Sequence, residues 1–400
     1  MNVLIINSVV GSGSTGNLVA GLYHYLKTKG HIVKIGYGIG EAKKVPKEDT
    51  FKVNNRLGYY IHNLLSRFSD GAGFYSNLQT NRFIRYIKKI QPDVIHIHTL
   101  HGYWINIRVL FSFLKDYSRP VIWTLHDCWS FTGHCTHFVS VECEKWRIGC
   151  FECPLRDSYP KSYVDFSHRN YTLKRDLYSF DNKLYIVPVS DWLAGFVKGS
   201  FLNRCNITVI KNGIDLTLFK PYGYVSDSKI RVLGVASVWN KDKGLQDFYR
   251  LRELLSPDDV EIMLVGLSKE QLDCLPKGIV GIEHTESLEK LVAVFSSASV
   301  FVNPTYADTF PTVNIEALAC GTPVITYRTG GSPEAVSSQT GWVVDPGDIK
   351  GIAIIVQSLL QEGIEGIMAR RVKCRERIIN EFDMVKCYES YLRKYEDVLL

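Results

Sequence analysis

The chain has 400 residues, 46% of them hydrophobic and 22% charged, enough to fill two cores and more than one ordinary domain needs. Its 47 basic and 41 acidic residues leave a formal net charge of +6, which suits anionic ligands but lacks the clustered excess of a dedicated nucleic-acid binder. No apolar run approaches the roughly 18 residues of a membrane span, so the chain is expected to stay out of the bilayer and in the cytoplasm.

The opening stretch "MNVLIINSVVGSGSTGN" breaks into glycines after one apolar run, with no cationic segment before it, and reads as a strand rather than a leader. "NVLIIN", "HIVKIGYG", "DVIHIH", "PVIWTLHD", "LYIVPVS" and "ITVIKNGID" alternate with helix-length segments. That alternation predicts a parallel sheet covered on both faces. A second series, "KIRVLGVAS", "VEIMLVG", "GIVGIEH", "ASVFVNP", "TPVITY" and "GWVVD", repeats it. The expectation is an α/β protein with two Rossmann-like, doubly wound domains over residues 1–217 and 218–379, joined near the Pro, Gly and Ser of "LTLFKPYGYVSDSK". Residues 380–400 form a helical pattern that either caps the second half or crosses back to the first.

"GSGSTG" places Gly11, Gly13 and Gly16 between the first strand and a helix, matching the G-x-G-x-x-G phosphate fingerprint. The second strand ends without the acidic residue that a dinucleotide ribose needs, so Gly11, Ser12 and Gly13 form either a tight turn or a ligand-facing loop, not a dinucleotide site. "NRFIRYIKKI" is an amphipathic basic pattern, either resting on anionic lipid or simply solvated. His96 and His98 alternate along a strand. Beyond it, His101, Tyr103, Trp104 and Asn106 combine rings with hydrogen-bonding groups, which suits either a sugar acceptor or core packing.

Residues 128–154 are a cysteine-rich insertion. Cys135, Cys143, Cys150 and Cys153 end in C-x-x-C and suit a structural zinc site, with His134 and His137 as alternative ligands; buried thiols and redox chemistry are the other readings. In the second half, "SVWNKDKGLQDF" offers Lys241 and Lys243 where a helix begins, a setting for a diphosphate or a solvated basic turn. "ADTFPTVNIEALACGTPVI" carries Asp308 in a loop, Pro311 at a helix start and Glu316 within the first turns. Eight helical steps would separate the two carboxylates by about 12 Å, which suits two contacts on one long ligand better than a glycosidase pair.

Asp308 to Glu316, then "ALACGTPVITYRTGGSPE", with "VIKNGIDLTLFKP" and a Lys-Gly pair before them, resemble the retaining glycosyltransferases of family 4. "HIHTLHGYWIN" and "VIWTLHDCWSFTGHC" are similar to the bacterial exopolysaccharide and colanic-acid members. The resemblance implies the GT-B architecture, two facing Rossmann-like domains with a cleft between them, the first on the acceptor side. It implies a retaining hexosyltransferase that moves a sugar from a nucleotide-diphosphate sugar to a glycan acceptor, lipid-linked and reached at the cytoplasmic membrane face. No nucleic acid and no catalytic divalent metal are expected. Glu316 would hold the ribose and Asp308 the sugar hydroxyls; Lys243, Lys241 and the backbone of Thr309, Phe310, Pro311, Thr312 and Val313 would face the diphosphate. Gly11, Ser12 and Gly13 would close over it, and His126 would stand near the transferred sugar. Two positions depart from the family pattern, Asp308 for the commoner Glu and Val238 for a common Arg. A sugar-nucleotide epimerase and a non-catalytic nucleotide-sugar-binding protein are the competing functions.

Overall fold

In a computed structural model of the chain, residues 1–179, 183–223 and 229–400 are described. The segment read as a linker, 216–229, falls partly outside them. Two compact units divide the chain. One holds Met1–Ile210 and takes back Tyr388–Leu400; the other is Lys211–Cys387.

The first unit is built on seven parallel strands: β1 (Asn2–Asn7), β2 (Ile32–Tyr37), β3 (Thr50–Lys52), β4 (Val94–Ile97), β5 (Val121–Leu125), β6 (Leu184–Pro188) and β7 (Asn206–Ile207). They lie in the order β3-β2-β1-β4-β5-β6-β7. Val3 sits opposite Val33 on one side and Val94 on the other. Strands covered by helices on both faces must be apolar on both faces, and Val3 to Ile6 and Val121 to Leu125 are buried without alternation. The C-terminal helix Met384–Asp397 contributes to the same core. Its Tyr395 hydroxyl lies 2.5 Å from His96 Nδ1, and Thr124 Oγ1 donates to the Tyr391 hydroxyl at 3.2 Å.

The second unit has six parallel strands: β8 (Ile230–Val235), β9 (Val260–Val265), β10 (Ile279–Ile282), β11 (Val300–Asn303), β12 (Val324–Tyr327) and β13 (Gly341–Val344), in the order β10-β9-β8-β11-β12-β13. In both sheets the winding reverses direction beside the first strand, between β1 and β4 and between β8 and β11. At such a reversal the helices after the two neighbouring strands leave toward opposite faces, which opens a crevice beyond the strand ends. The place of each crevice is thereby set by topology.

Two details of the second unit explain sequence features. Gly213 of "NGID" passes so close to Met384 that a Cβ there would stand 2.5 Å from its Cα, while the Ile214 amide donates to Phe382 O at 2.8 Å. That glycine is therefore a packing requirement. Among the described residues, Ile349–Glu381 is the one helix long and apolar enough by length and composition to cross a membrane, a feature the sequence reading missed. Gly363, at φ 64°, breaks it. The part before the break is about 21 Å long, short of a ~30 Å hydrocarbon layer, and buries Ile352, Val356 and Leu359 in the second unit's core.

Candidate functional site

In the second unit the loops after β8 and β11 meet at the crevice. Asn240 caps the turn Lys241–Lys243 by accepting the Lys243 amide at 3.1 Å. Gly244 follows at φ 70°, and a Cβ on it would stand 2.3 Å from Pro304 O. The Tyr306 amide donates to Asp242 O at 2.7 Å, tying the two loops together. Lys243 Nζ is thus held 2.8 Å from Asp308 Oδ2, while Asp308 Oδ1 accepts the Phe310 amide at 3.2 Å. Lys243 and Asp308 are half-buried; Lys241 is exposed.

Helix Thr312–Ala319 begins at this point with Pro311 as its N-cap residue and no side-chain cap. Its first-turn amides, those of Thr312 and Val313, have no acceptor inside the helix and carry the positive end of its dipole. Phe310 and Pro311 are buried, Phe310 against the Phe382 ring at 5.9 Å between centroids, so their side chains belong to the core. Glu316 stands one turn after Thr312 on the same helix face and accepts a hydrogen bond from its hydroxyl. Burial pushes the Glu316 carboxyl up to about 7, against that hydrogen bond.

The loop after β12, which the sequence reading left without a role, completes the surroundings. Gly330 at φ 59° runs against Asp308, where a Cβ would meet Asp308 O at 1.7 Å. The hydroxyls of Thr309, Thr329 and Ser332 are buried with no protein partner. An unpaired buried hydroxyl costs about 1–3 kcal/mol. Thr309 adjoins Asp308 in the chain, and Thr329 and Ser332 flank the Gly330 turn that runs against it. The available signal was position, since "TGGSP" follows a strand end in the same sheet.

In the first unit the loop after β1 carries the glycines. Gly11 at φ 68° lies against Lys43, whose carbonyl oxygen would be 2.1 Å from an added Cβ, whereas Gly13 at φ 64° faces open space. Gly11 thus closes the turn, and Ser12 and Gly13 are the exposed part, at the start of helix Gly13–Thr28. Beyond β4 and β5, His98 Nδ1 and His126 Nε2 are 3.0 Å apart. Burial lowers the His126 imidazole to about 4 and His98 well below its usual value, so both are neutral near pH 7, one donating and the other accepting. His101 Nε2 lies 2.7 Å from Asp127 Oδ2 and its Nδ1 lies 2.9 Å from the Tyr159 hydroxyl. Burial works to raise Asp127, but the neighbouring His101, His137 and the Trp129 amide hold it at about 2. His98, His101, His126, Asp127 and Trp129 line one small recess.

The acceptor-side group divides. His101 reaches that recess, but Trp104 is fully buried, with its indole N–H on His101 O, and Asn106 caps helix Ile107–Asp116 by accepting the Val109 amide at 3.1 Å. Both are core residues, because the chain bends back under His101. Tyr103 is 5% exposed and packs edge-on to Tyr159. The basic helix Asn77–Ile90 buries Phe83, Ile84 and Ile87, so its apolar side faces the core. The apolar surface turned outward belongs to the preceding helix, Arg56–Ser69, where Leu57, Tyr60, Ile61, Leu64 and Phe68 are exposed. Among the described residues, no three His, Cys, Asp or Glu side chains stand together at metal-ligating distances.

Comparison with known proteins follows the same two units. The sequence model described as Glycosyltransferase Family 4 matches residues 15–218, and that described as Glycosyl transferases group 1 matches residues 229–362. The first alone spans more than half the chain. The protein belongs to glycosyltransferase family 4. A relative aligned over its full length and that of this chain is the putative colanic acid biosynthesis glycosyl transferase WcaC of Escherichia coli K12, at 25% identity. The D-inositol 3-phosphate glycosyltransferase of Mycobacterium sp. strain KMS is 42% identical, over 39% of this chain and 40% of its own. Sucrose-phosphate synthase from Thermosynechococcus elongatus has a TM-score of 0.73 at 17% identity, covering 99% of this chain and 98% of that one. Anabaena HepE, solved with UDP, has a TM-score of 0.67 at 16% identity, over 99% and 100%. These likenesses, with the two sheets, give this family member the GT-B fold and glycosyl transfer as its class of reaction.

Proposed function

We propose that this family 4 enzyme moves a hexose, with retention of anomeric configuration, from a nucleotide-diphosphate sugar to a lipid-linked glycan of an exopolysaccharide pathway. The observation that carries the reading is the arrangement at the β8/β11 reversal. A lysine paired with Asp308, two free helix amides, a half-buried carboxylate one turn further and the Gly330 turn against Asp308 come together there. Lys243 and the Thr312 and Val313 amides oppose the charge that accumulates on the departing diphosphate, with Lys241 at the rim. Glu316 accepts from the ribose hydroxyls and Asp308 from those of the sugar. As the C1–O bond to phosphate breaks, the acceptor oxygen bonds to C1 on the same face and its proton passes to the leaving phosphate oxygen. No separate base or divalent metal takes part. In the first unit, neutral His126 keeps the ring nitrogen that does not face His98 for a sugar hydroxyl, and Ser12 and Gly13 offer exposed backbone, the Gly11 amide being taken by Gly16 O at 2.8 Å.

Full-length alignment with a colanic-acid enzyme supports the glycan acceptor, and solved neighbours holding UDP, and UDP-glucose, support the donor class. The outward apolar face of Arg56–Ser69, flanked by Arg56 and Arg67, supports contact with an anionic cytoplasmic membrane surface. The test is a screen of nucleotide sugars against lipid-linked acceptors, with the product's anomeric configuration read by NMR. An α product from an α donor is expected. An inverted product, conversion of the donor without acceptor, or binding without turnover each rejects the reading.

A further inference from the structure

Residues 128–166 contain no strand or α-helix, only the short turns Val139–Val141 and Lys145–Arg147. A stretch that long without regular structure inside a compact unit needs a brace. Phe131, Phe138 and Trp146 form a small aromatic cluster. Beside it Cys135, Cys143, Cys150, Cys153 and His134 line a single recess. The spacing is C-x7-C-x6-C-x2-C, and all four cysteines are unbridged.

Backbone donors reach two of the sulfurs. The Gly133 amide donates to Cys150 Sγ at 3.2 Å, the Leu155 amide points at Cys153 Sγ, and the Cys135 and Cys153 thiols are hydrogen-bonded to each other. Amides directed at the sulfurs of a C-x-x-C turn satisfy thiolates and orient them. Cys150 at φ 48° and Glu152 at φ 45° both lie in the left-handed region, a conformation that costs about 1–2 kcal/mol per residue and persists only where something else holds the turn.

A second observation points to a bound cation complex. His134 is 2% exposed; its Nδ1 is 2.5 Å from Asp70 Oδ1, and its Nε2 is buried with no protein partner. The carboxylate fixes the ring's orientation beside the thiols with which it lines the recess. Lys174, fully buried, donates to the carbonyls of Trp129 and Thr132 at 2.6 and 3.0 Å and so ties helix Ser167–Leu177 to the start of this segment.

We propose that Cys135, Cys143, Cys150 and Cys153 bind one structural Zn²⁺ as a tetrahedral tetrathiolate, with Asp70-anchored His134 beside them in the recess. Sulfur donors of this number select zinc over hard cations. No ligating geometry is yet closed among these side chains, so binding turns the thiols inward within the recess they already line, and four thiol protons leave as the four Zn–S bonds form. The brace acts on the recess beyond β5. Asp127, which holds His101, sits immediately before Cys128, whose amide is fastened to Thr136 O at 2.8 Å. The ion thus fixes the chain on which Asp127 and His126 stand, independently of which donor or acceptor the enzyme uses.

The full chain, made in metal-replete medium and purified without metal-affinity steps or chelators, is assayed for zinc by mass spectrometry. About one equivalent is expected. Replacement by Co²⁺ should produce the intense visible bands and the sulfur-to-metal charge transfer of a tetrahedral tetrathiolate. Cys153→Ser and Cys143→Ser should each lose most of the metal, and Cys274→Ser, outside the cluster, should keep it. Should the cluster variants fail to fold, the cobalt spectrum of the unmodified chain decides alone. A folded, metal-free chain overturns the proposal, as does a Cys135–Cys153 disulfide seen as a loss of two mass units. Cobalt bands of six-coordinate type, or full metal content in Cys143→Ser, also overturn it.

Discussion

Glu316→Gln separates the energetic from the chemical role of the central carboxylate. Burial raises this carboxyl from 4.5 to about 7, so its folded-state value lies above the unfolded one. Such a group destabilises the fold only where it is ionised. The penalty is absent below about pH 4.5, grows as pH rises and is complete above about 7. The whole displacement corresponds to ~3.4 kcal/mol. Because the side chain is half-buried and partly solvated, we take about 2 kcal/mol. Glutamine keeps the shape and can still accept from Thr312 but does not ionise. At pH 8 the variant should therefore be more stable than the parent by about 2 kcal/mol, or 4–8 °C for a unit of this size, while at pH 4.5 the two should coincide. The assay is thermal unfolding of the full chain across this range, following the transition that shifts. The same variant should lose glycosyl transfer, since the amide offers one accepting oxygen, shared with the Thr312 hydroxyl, where the carboxylate offers two. Equal stability at pH 8, or a gain that persists at pH 4.5, refutes the argument from burial.

Three further outcomes follow from the same geometry. Donor hydroxyls that bond the ionised form pull the Glu316 proton off, so donor affinity should rise between pH 6 and 8 with release of about half a proton near pH 7; titration calorimetry in buffers of different ionisation enthalpy reads this, and proton uptake would contradict it. Lys243→Met should lower kcat/KM by roughly 10²–10³ with less than about 1 kcal/mol change in stability, because its pair with Asp308 is half-exposed; steady-state kinetics and urea unfolding check both, and unchanged kinetics would remove Lys243 from the site. Gly13→Ala should cost only the left-handed strain, about 1–2 kcal/mol, while Gly11→Ala should cost more because its Cβ meets the Lys43 backbone. Equal losses in denaturant would show that both glycines serve the turn alone.

Much of the fold was legible because burial on both faces leaves a direct trace. Runs such as "VLII" and "IMLV" have no polar position, and the helix-length gaps between them dictate parallel order. Pro311 likewise announced where a helix begins, since its ring suits that one place in the chain. What failed was direction. Nothing in "HGYWIN" distinguishes Trp104, driven into the core, from His101, which reaches the recess. The periodicity of "NRFIRYIKKI" was read correctly as amphipathic, but its apolar side was needed by the core, and the outward apolar face lay one helix earlier. Periodicity shows that a helix has two faces without saying what covers each.

By itself the sequence determined the two doubly wound sheets and the positions of Lys243, Asp308 and Glu316 along the chain, because strand burial, helix starts and motif spacing are local properties. Tertiary structure alone decided that Lys243 and Asp308 form a pair, that Gly330 runs against Asp308, and that Glu316 is pushed up to about 7. Those facts arise where loops from β8, β11 and β12 meet, and the distances and solvent exclusion there depend on residues far apart in the chain.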